Sequence, residues 1–227
     1  MTEKEPQGNG VGQGSFARFL ASIKGRCQFL LLSLVTLLLI YHRAAARPFL
    51  ALIINAGILA TGVYAVSDSN KYLLTAVAIG ILQVFIAVVD LSAPSLGLTI
   101  AAYSLLVVFY AFTLIRVLEY VVRGREVTRD KIYGAVSVYL LIGFTWAYLY
   151  RLVFIYQPDA FSFPAKQSPD FVYFSFSTLC TVGYGDITPV SGFARSLVIL
   201  EAVTGILYIA VLVSRLVNLY HADSNQG

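Results

Sequence analysis

The residues best suited to chemistry are nine in a row, Thr178-Leu179-Cys180-Thr181-Val182-Gly183-Tyr184-Gly185-Asp186, and the reactive groups are their main-chain carbonyls. A bare cation leaves water only if other oxygens replace its hydration shell, at a cost small enough that it can leave again. The carbonyls of Thr181, Val182, Gly183 and Tyr184, with the Thr181 hydroxyl, supply such oxygens if the backbone is held extended. Successive carbonyls face one axis only when alternate residues take unusual backbone angles, which Gly183 and Gly185 adopt at little steric cost. Val182 and Tyr184 are then expected to point away from the axis and pack against a wall.

Elements on either side must hold this loop. Before it, Gln157–Gln167 with Pro158 and Pro164 reads as an exposed turret. Ser168-Pro169-Asp170 then reads as a helix start, with Ser as cap, Pro at the first position and Asp in the first turn. The apolar run Phe171–Cys180 that follows is too short to cross a membrane but suits a re-entrant helix buried in protein. Its C-terminal end would turn partial negative charge towards a cation path.

The rest of the chain reads as an all-α, polytopic membrane protein. Of 227 residues, 58% are hydrophobic and 12% charged, and the mean hydropathy is +0.77. So little charge is unusual in a soluble domain of this size. Apolar runs predict six spans, at about 27–41, 48–66, 72–89, 95–120, 132–155 and 193–219, to cross a hydrocarbon core of about 30 Å. Pro94 is expected in the first turn of the fourth. The segment 1–26 reads as a disordered tail followed by either an interfacial helix (Phe16, Phe19, Leu20, Ile23 and Cys27 on one face) or an irregular basic lead-in. A second reading of the first span, a signal peptide cleaved after Ala44-Ala45-Ala46, leaves the remaining topology unchanged. The organisation is then a four-span unit 27–122, a basic linker 123–131, a pore unit 132–220 and a short tail 221–227.

Charge sets the orientation. Of sixteen Lys and Arg residues, five (Arg43, Arg47, Arg151, Lys166 and Arg195) fall on one side and the other eleven on the side of both termini. The positive-inside bias puts both termini in the cytoplasm and the nine-residue loop at the outer face. In the linker, Arg123, Arg125, Arg129 and Lys131 either act as a plain positive-inside anchor or also sit on anionic inner-leaflet lipid.

Thr181 to Gly185 spell TVGYG, an established signature of potassium-channel selectivity filters. From about Lys131 to Leu219 the chain resembles the two-helix pore module of tetrameric potassium channels, in its bacterial form. Beyond this module the resemblance rests only on the number of spans. It implies a homotetramer in the plasma membrane (bacterial inner membrane), potassium held by Thr181, Val182, Gly183 and Tyr184 with Gly185 completing the filter, and no cofactor other than the permeant ion. Asp186 matches the aspartate behind the filter and is expected to hydrogen-bond Tyr173 or Ser177; the alternative is a solvated acid at the outer mouth. Cys180 departs from the threonine common at this position, and a thiol is a weaker donor.

Aligned without gaps from Asp186, the last span puts Gly205 at the family's hinge glycine. A mid-helix glycine costs about 1 kcal/mol against alanine, which gating bends and close packing explain equally well. Ile206, Ile209, Val213 and Val217 would line the cavity and an inner gate. Glu201, an acid in an apolar span, is expected behind the filter near Ser177 or Thr178, supporting it in a protonated form.

Several functions are excluded or disfavoured. A voltage sensor needs arginines at every third position through the fourth span, and Leu96–Ile115 contains no basic residue. Eight residues after Leu219 leave no expected cytoplasmic ligand-binding domain. His42, His221, Cys27 and Cys180 stand apart from one another, so neither a catalytic centre nor a disulfide framework is expected, and no nucleic-acid partner is implied. The alternatives to a potassium-selective channel are a weakly selective cation channel and a non-conducting regulatory subunit.

Overall fold

The computed structural model describes residues 25–45, 48–65, 70–123, 128–164 and 168–224. Among them run seven α-helices: α1 Arg26–Ala45, α2 Pro48–Ala65, α3 Asn70–Ser92, α4 Leu96–Val122, α5 Arg129–Tyr156, α6 Phe171–Leu179 and α7 Gly192–Ser224. A two-residue ribbon interrupts the helical pattern, with β1 Phe161–Ser162 antiparallel to β2 Thr188–Pro189. The expected tail and interfacial helix before Gly25, as well as Ala46, Arg125 and residues 225–227, lie outside the described residues.

Four described helices are long and apolar enough to cross a membrane: Asn70–Ser92, Leu96–Val122, Arg129–Tyr156 and Gly192–Ser214. The first two expected spans correspond to shorter apolar stretches, Arg26–Ile40 and Leu52–Ala65.

Local chemistry sets the helix ends. At the α3–α4 turn, Asp90 accepts hydrogen bonds from the Thr99 hydroxyl (3.0 Å) and the Ser95 amide (3.3 Å). Ser95 caps α4 by accepting from the Leu98 amide, so Pro94 sits before the cap and not within the first turn as expected. Thr128 caps α5 in the same way through the Lys131 amide, with Asp130 in the first turn where a carboxylate complements the helix dipole. Asp130 also reaches out of its helix, accepting from the Cys27 amide at the start of α1 (3.1 Å) and from the Tyr120 hydroxyl of α4 (3.0 Å).

The central element is α5, which packs against α1, α4, α6 and α7. Half of its most apolar window is buried, against 11% for α7. Val138, Leu141, Phe144 and Ala147 face the main core with Leu30 and Leu34 of α1 and Tyr110 of α4. Nearer its C-terminal end, Tyr150 enters an aromatic cluster with Phe161, Phe171 and Phe174 at ring separations of 5.2 to 6.5 Å. The turret is therefore not wholly exposed as its composition predicts. Ala160 and Phe161 are buried, because β1 draws them under β2 and the Val190 amide donates to the Ala160 carbonyl at 2.8 Å.

Phe161→Ala should destabilise the protein by about 3–5 kcal/mol, the usual cost of truncating a buried aromatic. Phe85→Ala on the exposed face of α3 should shift thermal unfolding in detergent far less.

Candidate functional site

The nine residues of α6 span about 14 Å, far short of a membrane. Asp170 caps the helix, its carboxylate accepting from the Tyr173 amide at 3.0 Å. Ser168 is thus not the cap that the sequence pattern suggests. Pro169 immediately precedes the cap, and proline biases the residue before it away from helical angles. Phe171, Val172, Phe174, Ser175, Ser177 and Leu179 are all buried, as a short helix held inside protein requires.

The chain turns back over the C-terminal end of α6. The Ser177 carbonyl accepts from the Val182 amide at 2.8 Å and from the Gly183 amide at 3.1 Å, and the Thr178 carbonyl accepts from the Thr181 amide at 2.9 Å. Helix-terminal carbonyls are thereby paired with loop amides, which answers the needs of both. Beyond this turn Thr181, Gly183 and Gly185 have φ of 60°, 56° and 81°. The two glycines take the positive angles the sequence predicts. Thr181 does as well, although a β-branched residue there is a genuine outlier costing on the order of 1–3 kcal/mol. The sequence reading missed it; the signal was its place two residues before Gly183, in the same period of two.

Residues 181–186 are all exposed in the single chain, Val182 by 52% and Tyr184 by 70%. The Tyr184 ring stacks on Tyr173 of α6 at 5.8 Å, but neither Tyr184 nor Val182 is packed away within one chain as expected. Asp186 accepts from the Ile187 amide at 3.1 Å and lies near the Tyr173 hydroxyl. The Ser177 hydroxyl instead donates to the Phe174 carbonyl of its own helix.

Glu201 lies elsewhere than expected. It is fully buried, with Tyr150 of α5 donating to Oε2 at 2.6 Å and Ser175 of α6 at 2.5 Å from Oε1. Ser175 rather than Ser177 or Thr178 is its partner, because Ser175 lies on the buried face of α6 towards both α5 and α7. Ser175 also reaches the Gly143 carbonyl of α5 at 2.7 Å. Gly143 itself has no room for a side chain, since a Cβ there would lie 2.6 Å from the Phe176 ring.

Gly205 touches the other end of α6. A Cβ there would sit 2.8 Å from Leu179 Cδ1 and 3.0 Å from the Leu179 carbonyl oxygen, and α7 runs unbroken through it. Two tyrosines that the sequence reading passed over also hold this end. Tyr139 of α5 donates to the Leu179 carbonyl at 3.2 Å and lies 3.5 Å from the Cys180 thiol. Tyr208 of α7 stacks on Tyr139 and donates to the Ala135 carbonyl at 2.6 Å. A tyrosine inside an apolar span needs a partner for its hydroxyl, and that need was the available signal. Ile206, Ile209 and Val213 are exposed on α7, and the side chain of Val217 lies outside the described residues.

At the opposite end, Lys131 donates to the Arg123 carbonyl at 2.7 Å across the α4–α5 linker. Arg116 pairs with Glu119 and lies 3.5 Å over the Tyr72 ring of α3. No cluster of His, Cys, Asp and Glu able to hold a metal ion occurs among the described residues.

Residues 134–221 match the family described as Ion channel. That stretch, about two fifths of the chain, runs from α5 through the loop to α7. The voltage-gated potassium channel Kch of Escherichia coli (strain K12) is a distant homologue, 29% identical over 181 residues that make up 78% of this chain and 41% of that protein. The chain thus spans about two fifths of the length of this curated relative. No solved structure matches.

Gly205→Ala separates close packing from bending. An alanine that met no neighbour would stabilise the helix by up to about 1 kcal/mol. The contact with Leu179 should reverse the sign, lowering stability by roughly 1–3 kcal/mol in thermal unfolding of the detergent-solubilised protein.

Proposed function

We propose that this protein is a homotetrameric, potassium-selective channel of the plasma membrane (bacterial inner membrane). Its chain would cross the membrane six times, with both termini in the cytoplasm. The observation that carries the reading is the alternation of left-handed residues at Thr181, Gly183 and Gly185 directly over the C-terminal end of a short buried helix. That alternation lets successive carbonyls face one axis. The carbonyls of Thr181, Val182, Gly183 and Tyr184 and the Thr181 hydroxyl then replace the hydration shell of K+, in multiple sites weak enough for the ion to move on.

One chain supplies one strand of filter, and its exposed Val182, Tyr184 and α7 supply surfaces for three identical neighbours. Asp186 with Tyr173, the Ser177 carbonyl and Glu201 hold the filter from behind. Gly205 is the point where α7 meets the pore helix, and it serves as a hinge only if Leu179 moves with it. Ile206, Ile209, Val213 and Val217 line the cavity and its inner end. Arg123, Arg125, Arg129 and Lys131 face the cytoplasmic leaflet, where anionic headgroups attract them.

Leu96–Ile115 of α4 carries no basic residue, and Arg116 at its inner end is occupied by Glu119 and Tyr72. The channel therefore lacks a steep voltage sensor, which would need about three or four gating charges per subunit. The homologue's name includes voltage gating; that property is not carried over.

Two measurements test the reading. Liposomes holding the purified protein should release K+ but not Na+ down matched gradients, with block by barium and loss of flux in Gly183→Asp at unchanged tetramer mass. Equal Na+ flux would instead make it a weakly selective cation channel, and a monomer would end the proposal. In planar bilayers, potassium current should vary by less than about one gating charge per subunit; steep activation would overturn the claim that α4 is not a sensor.

A further inference from the structure

The hydrogen-bond chain Tyr150–Glu201–Ser175–Gly143 has a proton to account for. Ser175 carries one hydroxyl hydrogen and faces two oxygens, the Gly143 carbonyl at 2.7 Å and Glu201 Oε1 at 2.5 Å. The carbonyl can only accept. If Ser175 donated to Glu201, its oxygen lone pairs would meet those of the carbonyl at 2.7 Å with no hydrogen between them. If Ser175 donates to the carbonyl, Oε1 must bring its own hydrogen. Tyr150 supplies the hydrogen to Oε2 and has no second one to give.

No counter-charge offers another solution. Among the described residues no ion pair involves Glu201. From α5 the groups facing it are Tyr150 and, farther along, Tyr139, whose hydroxyl is taken up by Leu179 and Cys180. Arg151, next to Tyr150 in sequence, lies over the rings of Tyr103 and Phe154. From α6 the facing group is Ser175, and on α7 itself Arg195 is exposed and donates to the Pro189 carbonyl. An ionised carboxylate buried here without a cation would be expensive.

We infer that Glu201 is a neutral carboxylic acid whose proton completes a strut from α7 through the pore helix to α5, making it a positioning residue for the filter. The role rests on the channel reading above; the protonation state does not. When neutral, Glu201 gives a hydrogen to Ser175 and takes one from Tyr150. Once the proton leaves, an uncompensated charge is buried and the single Ser175 hydrogen cannot serve both the carboxylate and the Gly143 carbonyl, so α6 loses its tie either to α7 or to α5. Ion flux should therefore fall as pH rises through the titration of this acid.

Glu201→Gln mimics the neutral acid, since its amide donates to Ser175 and its carbonyl accepts from Tyr150. The experiment uses the full chain in lipid. Infrared difference spectra of wild type against Glu201→Gln at neutral pH should show the carbonyl stretch of a protonated carboxyl, sensitive to deuteration and lost on alkalinisation. In parallel, wild-type potassium flux should be lost at alkaline pH, while Glu201→Gln keeps both its neutral-pH flux and a flat profile. Absence of the carboxyl band at neutral pH would overturn the protonation. A band together with the same alkaline loss in both proteins would overturn the positioning role. A band with no flux from either protein would uphold the protonation and reject the channel reading instead.

Discussion

The proposed channel depends on a stretch of main chain that keeps its carbonyls free. Backbone amides and carbonyls normally satisfy each other, and a peptide that withholds its carbonyls for a passing ion leaves its own amides needing acceptors. Ser177 meets part of that demand by accepting from both Val182 and Gly183. It can do so only because it sits in the last turn of α6, where carbonyls have no intrahelical partner. The short helix is therefore needed for hydrogen-bond accounting as much as for its dipole. The positive φ values at Thr181, Gly183 and Gly185 are the conformational cost of the same arrangement.

A nine-residue helix cannot hold itself in place, since helices this short are marginal without tertiary packing. Its neighbours hold it at three points. The aromatic cluster of Tyr150, Phe161, Phe171 and Phe174 fixes its N-terminal half, with edge-on pairs each adding about 0.5–1.5 kcal/mol beyond burial. Ser175 ties its middle to α5 and α7, and Tyr139 with Gly205 encloses its last residues. Glycine at positions 143 and 205 removes the two side chains that would push α5 and α7 away from it.

How far the sequence alone reaches depends on whether a feature is local. The positive angles at Gly183 and Gly185, the short helix after Pro169 and the longer spans could be read because apolar length, proline and glycine act within a few residues. The cap at Asp170 was misread by two positions, because Ser168 and Asp170 are both good capping residues and only the Tyr173 contact chooses between them. The partners of Glu201 were missed for a different reason. Sequence places an acid in an apolar span, but which of Ser175, Ser177 and Thr178 it meets depends on how α6 is rotated against α7. The buried Phe161 belongs to this class too, since its cover comes from β2, more than 25 residues later.

Burial is distributed unevenly, and this links the fold to assembly. The helix α5 packs against four other helices, whereas α7 is as apolar as any span yet leaves Ile199, Leu200, Ile206 and Val211 more than half exposed. Lipid can cover such side chains, so their exposure alone does not demand a partner. Val182 and Tyr184 are different, because in the proposed filter they flank carbonyls held rigidly on one axis, and a single chain gives Tyr184 one stacked ring and leaves Val182 half open. A strained backbone persists only where its surroundings over-determine it. Among the described residues of one chain this loop is supported from the side of α6, and in the proposed tetramer the remaining support would come from copies of the same surface.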